Sequence, residues 1–169
     1  MTPVRLIIDD KKWTSIDDFW KWKAFLNDLL FGVLEKVYCN QHNLSVNLLL
    51  TNDKYMKKLN NDFMGKNTAT DILSFPQYEK FNIAVNAISE NEILLGDIAM
   101  SHETVLRRLV NNSFFDRCSH LFVHGLLHLL GMDHDNEENA EKMENFEAAV
   151  LGLFSVGKPH AVAVGKDIA

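Results

Sequence analysis

Cysteine is nearly absent from this chain of 169 residues. Cys39 and Cys118 stand far apart with no CxxC spacing, which fits reduced, buried thiols in a cytoplasmic protein better than a disulfide framework. Proline is scarce too. Three prolines and eight glycines leave no proline-rich recognition tract and no Gly/Ser linker, and no internal repeat is visible. Residues 1–154 are therefore expected to form one domain, with 155–169, which carry Gly157, Pro159 and Gly165, as a flexible tail. Long apolar runs are missing as well: no stretch reaches the length of a membrane span, and VRLII near the start is too short for a signal-peptide core. The expectation is a cytoplasmic protein without a membrane partner.

An excess of positive charge is also lacking. Lysine and arginine number 17 against 23 acids, a net charge of -6. Residues 133 to 147 alone hold seven acids and one lysine, also -6, so the rest of the chain sums to zero. Acidity confined to one stretch leaves space for a locally basic cleft elsewhere, and Lys54, Lys57, Lys58 and Lys66 are the candidates for its rim.

What is present is 47% hydrophobic residues patterned for a mixed fold. Strands are expected at 4–8, 44–51, 70–76 and 94–100, with Pro76 stopping the third and FNIAV, 81–85, open as strand or loop. A long helix should follow Thr14 and Ser15, its candidate N-caps, with Asp17 and Asp18 in the first turn; Ile16, Phe19, Trp20, Leu26, Leu29, Leu30, Val33, Leu34 and Val37 would cover the sheet. Asn52 caps a short helix that ends near Gly65, and further helices are expected at 102–111, 116–130 and 137–151, the last capped by Asn136.

Chemistry concentrates in HGLLHLLGMDH, residues 124 to 134. Side chains four apart on a helix project from one face, so His124 and His128 can reach one ion; Gly131 ends the helix in a left-handed turn and lets His134 return as a third ligand. The helix is apolar on its other sides, through Leu121, Phe122, Val123, Leu126, Leu127, Leu129 and Leu130. It should therefore run through the interior, where a row of imidazoles needs polar partners or a cation. Three imidazoles suit zinc and leave a fourth position open, as catalytic sites do; the ion then lowers the pKa of bound water to about 7 and polarises a phosphoryl or carbonyl oxygen. A closed structural site, with Asp133, His120 or a cysteine as fourth ligand, is the alternative. Asp133 reads as support for a histidine ring or as a group acting on the bound water, and His120 as a structural neighbour. Glutamate is missing where a zinc peptidase of the HExxH type places its general base, since Gly125 follows His124. A zinc-dependent peptidase or amidohydrolase, a further reading drawn from this spacing, thus lacks its usual base.

The motif HGLLHLLGMDH, the acidic helix with KMENFE after it, LNNDFMGKNTATDILSFP (59–76) and LLGDIAMS (94–101) together resemble the YbeY endoribonuclease family in content and order. The resemblance implies an α+β fold: a small mixed four-stranded sheet covered by about five helices, with the metal on a central helix. It implies one zinc ion on His124, His128 and His134, and cleavage of single-stranded RNA in rRNA maturation, including the 16S 3′ end, and in ribosome quality control. Its partners would be single-stranded RNA, rRNA and ribosomal subunits. One departure matters: the family usually carries arginine after the aromatic residue of the second signature, and here the chain reads Phe63, Met64, Gly65, Lys66. Methionine cannot bind a phosphate; Lys66 can supply a point charge without paired donors. Asn67 and Met132 replace the usual aspartate and tyrosine. A ribosome-assembly factor with a structural zinc and weak or lost catalysis is the second reading, and Met64 is the feature that favours it.

Overall fold

The computed structural model describes residues 3–37, 43–79 and 91–156. Cys39, FNIAV and the tail beyond Val156 lie outside the described residues.

Four strands, β1 (Val4–Ile8), β2 (Leu44–Thr51), β3 (Ile72–Pro76) and β4 (Ile93–Ser101), form one mixed sheet in the order β1-β2-β4-β3. β1 and β2 pair in parallel, Val4 opposite Val46, and β2 pairs in parallel with β4. β3 runs antiparallel to β4 at the edge, Ile72 opposite Met100 and Pro76 opposite Gly96. Proline at the end of an edge strand costs no ladder bond to a second neighbour. Five α-helices are seen among the described residues: α1 (Phe19–Lys36), α2 (Asp53–Met64), α3 (His102–Arg107), α4 (Phe114–Leu129) and α5 (Glu137–Leu153).

Alternation along the strands sorts the two faces. Leu48, Leu50, Ile72, Ile98 and Met100 belong to the main core with α1, α4 and α5; Leu49, Leu73, Phe75 and Ala99 belong to a smaller cluster with Met56, Leu59 and Met64 of α2. Complete burial of a leucine or isoleucine contributes about 1.5–3 kcal/mol, so the larger cluster dominates stability and fixes α4 against the sheet. Between Ser45 and Asn47 the β2–β4 register slips, and Gly96 sits in the irregularity at φ +147. A Cβ there would lie 2.3 Å from the Phe75 carbonyl oxygen, so only glycine lets β3 close onto β4.

The start of α1 differs from expectation. Residues Lys11–Ser15 form a 3-10 turn capped by Asp10, whose side chain accepts from the Lys12 N–H. Thr14 donates its hydroxyl to the Lys11 carbonyl at 2.8 Å, and Ser15 ends the turn instead of capping a helix. Asp18 takes the N-cap position at φ 65 without a side-chain cap bond, and Asp17 precedes it, so neither lies in the first turn. The reason is Trp13, fully buried with its indole N–H donating to the Thr51 carbonyl at 2.8 Å, which pins the chain to the sheet before the helix begins. Trp20 is 62% exposed and Trp22 takes the buried position, donating to Ser119 Oγ at 3.1 Å. With the helix starting at Phe19, its inward stripe runs Phe19, Trp22, Leu26, Leu29, Leu30 and Val33.

Candidate metal centre

Helix α4 builds the site. Ser113 caps it by accepting from the Asp116 N–H at 3.1 Å. Its C-terminus closes in a Schellman arrangement, with Met132 N–H bonded to Leu127 O and Gly131 N–H to His128 O, both at 2.9 Å, and Gly131 at φ 88. That reversal brings His134 back beside the helix. The ring centroids of His124 and His128 are 4.7 Å apart, those of His128 and His134 5.1 Å, and those of His124 and His134 5.6 Å.

One ligand atom from each of His124, His128 and His134 lies within 4.8 Å of the others. Among the described residues no fourth histidine, cysteine, aspartate or glutamate joins them. Cys118 is fully buried in the main core, where desolvation holds its thiol well above the ordinary cysteine pKa.

The residues fit a divalent cation on two grounds. His124 Nε2 and His128 Nε2 are 3.0 Å apart, and His134 Nε2 is buried with no hydrogen-bond partner. Buried polar atoms are normally paired, and three convergent imidazole nitrogens are a donor set suited to zinc.

Burial first, and then the charges of His124 and His134, hold the His128 pKa down to about 4; Asp133 and a Met132 backbone contact oppose this weakly. His128 is thus neutral at pH 7, the form that binds metal. Asp133 is exposed, and its Oδ1 accepts from the His134 backbone N–H at 2.8 Å.

Glu147 of α5 is the residue that sequence reasoning passed over. It is 4% exposed, accepting from His120 Nε2 at 2.8 Å and from His124 Nδ1 at 2.5 Å. Burial works against its charge, but the hydrogen bonds from His120 and His124 and their charges win and hold its pKa at about 2. A signal existed: Met143, Val150 and Leu151 form the apolar stripe of α5, and Glu147 stands in the middle of it. His120 also contacts Arg117 Nη1 at 3.2 Å, and Arg117 donates to Asp71 Oδ2 at 3.1 Å. Imidazole, carboxylate, imidazole, guanidinium and carboxylate thus run in one buried line from the candidate ligand His124 to the start of β3.

These shifts fix the acid behaviour of the metal-free protein. Between pH 6.5 and 4 the unfolded chain protonates His128 while the folded chain resists, so stability falls with pH through that window by roughly 3 kcal/mol. Glu147 then loses its contribution as pH drops from 4.5 to about 2. Urea unfolding of chelated protein at pH 7 and pH 4.5 measures the first window, and His128→Asn flattens it. An equal slope in that variant would contradict the assignment.

Gly125 faces the sheet: a Cβ there would meet Ile98 Cδ1 at 2.9 Å, Ser74 Oγ at 3.0 Å and Ile72 Cδ1 at 3.1 Å. Close helix–sheet packing therefore accounts for the glycine, and no side chain larger than hydrogen fits without repacking. Met64 packs with the α2 cluster on the opposite face of the sheet from α4. Lys66 is exposed on the turn after Gly65, its N–H bonded to Asn60 O at 3.2 Å. Lys54, Lys57 and Lys58 lie on α2 itself, on that same side of the sheet.

Comparison with known sequences identifies similarity over nearly the whole chain. The family described as Endoribonuclease YbeY matches residues 7–155. A protein of Rhodospirillum rubrum named Endoribonuclease YbeY is 40% identical over 128 residues, 73% of this chain and 62% of that protein, so the chain spans less than two thirds of that relative. The Bartonella henselae protein of the same name is 36% identical over 143 residues, covering 79% of this chain and 87% of its own length. The Bartonella bacilliformis protein is 28% identical over 162 residues, 95% and 98% of the two chains. Among solved structures, the solution structure of TM1509 from Thermotoga maritima superposes with TM-score 0.55 at 24% identity, covering 96% of this chain and 99% of that one, and supports the α+β fold. No described helix is long and apolar enough to cross a membrane.

Proposed function

Because the chain belongs to the YbeY endoribonuclease family, we propose that it is a zinc-dependent endoribonuclease that cleaves unpaired RNA and acts in the cytoplasm on rRNA and ribosomal subunits, in 16S rRNA 3′-end maturation and ribosome quality control. The observation that carries the catalytic part is the convergence of His124, His128 and His134, with the buried His134 Nε2 unpartnered.

His124, His128 and His134 would hold the zinc ion, which when bound would supply Lewis-acid polarisation of a phosphoryl oxygen. The chain's own residues do the rest. Glu147 orients His124, and His128 stays neutral at working pH. Buried α4 closes the inner side of the site to water, while the half-buried His128 and His134 leave the outer side open to a strand of RNA. Lys66, exposed two residues beyond the position of the family arginine, offers a point charge to the phosphate backbone. A peptidase reading loses support, because the position of its general base is occupied by Gly125, packed on Ile98, Ser74 and Ile72.

Elemental analysis of the purified protein, combined with cleavage of an unstructured RNA before and after chelation, tests the reading. The expected result is one zinc per chain and cleavage lost with the metal and restored by zinc. Undiminished cleavage in chelator overturns the metal-dependent mechanism, and bound zinc with no cleavage leaves the assembly-factor reading in its place. End groups separate the nucleophiles: a 2′,3′-cyclic phosphate implicates the ribose hydroxyl and its absence implicates water. Lys66→Ala is expected to reduce the slope of log affinity against log salt by about 0.7, one phosphate contact on a single strand. An unchanged slope removes Lys66 from the RNA contact.

A further inference from the structure

Glu147 accepts hydrogen bonds from two buried histidines at once, and only one of them is a candidate metal ligand. We propose that Glu147 is the positioning residue of the metal centre: it fixes the proton of His124 on Nδ1 and thereby presents a bare Nε2 to the ion, while Arg117 dedicates His120 to holding that carboxylate in place. The proposal rests on the metal-binding reading of His124, His128 and His134.

The tautomers follow from donor and acceptor counting. Arginine has no acceptor, so Arg117 Nη1, 3.2 Å from His120 Nδ1, donates to it and that nitrogen carries a lone pair. The His120 proton therefore sits on Nε2, which donates to Glu147 Oε2 at 2.8 Å. Oε1 remains for His124, whose Nδ1 lies 2.5 Å away. A lone pair at that nitrogen would face a carboxylate oxygen, so the proton belongs on Nδ1 and Nε2 is left unprotonated. Nε2 is the atom that points at His128 Nε2, 3.0 Å away. Arg117 is itself held by Asp71, fully buried at the start of β3.

A merely structural account explains less. Position 147 lies on the apolar stripe of α5 between Met143 and Val150, where leucine would pack without the cost of burying a charge. The carboxylate instead meets two imidazole donors and places one negative charge a single ring away from the proposed dication. Glutamine cannot replace it: the amide oxygen can accept from His124 or from His120, and the amide N–H group then opposes the other histidine's N–H.

Zinc affinity by chelator competition in wild type and Glu147→Gln, with far-UV circular dichroism of both, is the test. The expected result is a 10- to 100-fold weaker affinity in a variant of unchanged secondary structure. Should Glu147→Gln fail to fold, 15N-histidine NMR of the metal-free wild type decides instead, the expected signature being an Nδ1-protonated His124 and an Nε2-protonated His120. A glutamine variant that binds zinc as tightly as wild type overturns the proposal, even if its melting temperature falls. So does a His124 protonated on Nε2. Wild-type protein that binds no zinc would bring down the metal centre itself, an outcome distinct from zinc binding that ignores residue 147.

Discussion

His128→Ala is expected to abolish metal binding and RNA cleavage together while the metal-free fold persists. The ring of His128 is half-buried and meets His124 Nε2 at 3.0 Å. Removing it takes away that contact and one with the Met132 backbone, and leaves the buried line from His124 through Glu147, His120 and Arg117 to Asp71 in place. It does remove one of the three proposed ligands. Loss of an outer partner of a ligand already weakens affinity by about 10- to 100-fold, so loss of the ligand is expected to exceed 100-fold. Elemental analysis after gel filtration reads the metal, and cleavage of unstructured RNA should fall to the level of chelated wild type. Circular dichroism should be unchanged. A variant that retains stoichiometric zinc and wild-type cleavage would show that the histidine trio is not the reactive centre.

The largest expected loss of stability lies at Asp71. Its carboxylate is fully buried, accepts from Arg117 and from Arg108 at 3.1 and 3.2 Å, and also accepts from the Ile72 backbone N–H at 3.1 Å. Arg108 is 39% exposed at its side chain and can turn to water, but Arg117 is 10% exposed and cannot. Asp71→Ala leaves that guanidinium buried without its counter-charge, which costs about 3–5 kcal/mol, a large part of the 5–15 kcal/mol that holds a domain of this size together. Urea unfolding should show a lower midpoint at an unchanged slope. Glu92→Ala breaks the exposed Arg5 pair and serves as the control, with a loss far smaller than at Asp71 because both charges remain solvated. A cost at Asp71 no greater than the control would mean that Arg117 finds solvent by rearrangement. The buried line through His120 to Glu147 would then not depend on the sheet.

Much of this was legible in the chain. Residues 4–8 and 44–51 read as strands and lie in them, because alternation and short apolar runs are local signals. Asn52 and Asn136 cap α2 and α5 by accepting from the amide three residues on, as their side-chain chemistry demands. The start of α1 was not legible, since the residue that delays it, Trp13, acts through Thr51 across the sheet. Met64 gave no sign of the face it occupies, for that depends on where α2 lies.

Sequence alone determined that His124 and His128 share a helix face and that Gly131 returns His134 to them, because an α-helix repeats every 3.6 residues and a left-handed residue ends it whatever surrounds it. Only the tertiary structure decided which carboxylate serves His124: Asp133, next to His134, spends its oxygen on a backbone N–H, and Glu147, 23 residues beyond His124, takes the imidazole. The pairing of Asp71 with Arg117, 46 residues apart, is of the same kind. Such partners meet through the packing of α4 and α5 on the sheet, and no periodicity along the chain encodes the distance between helices.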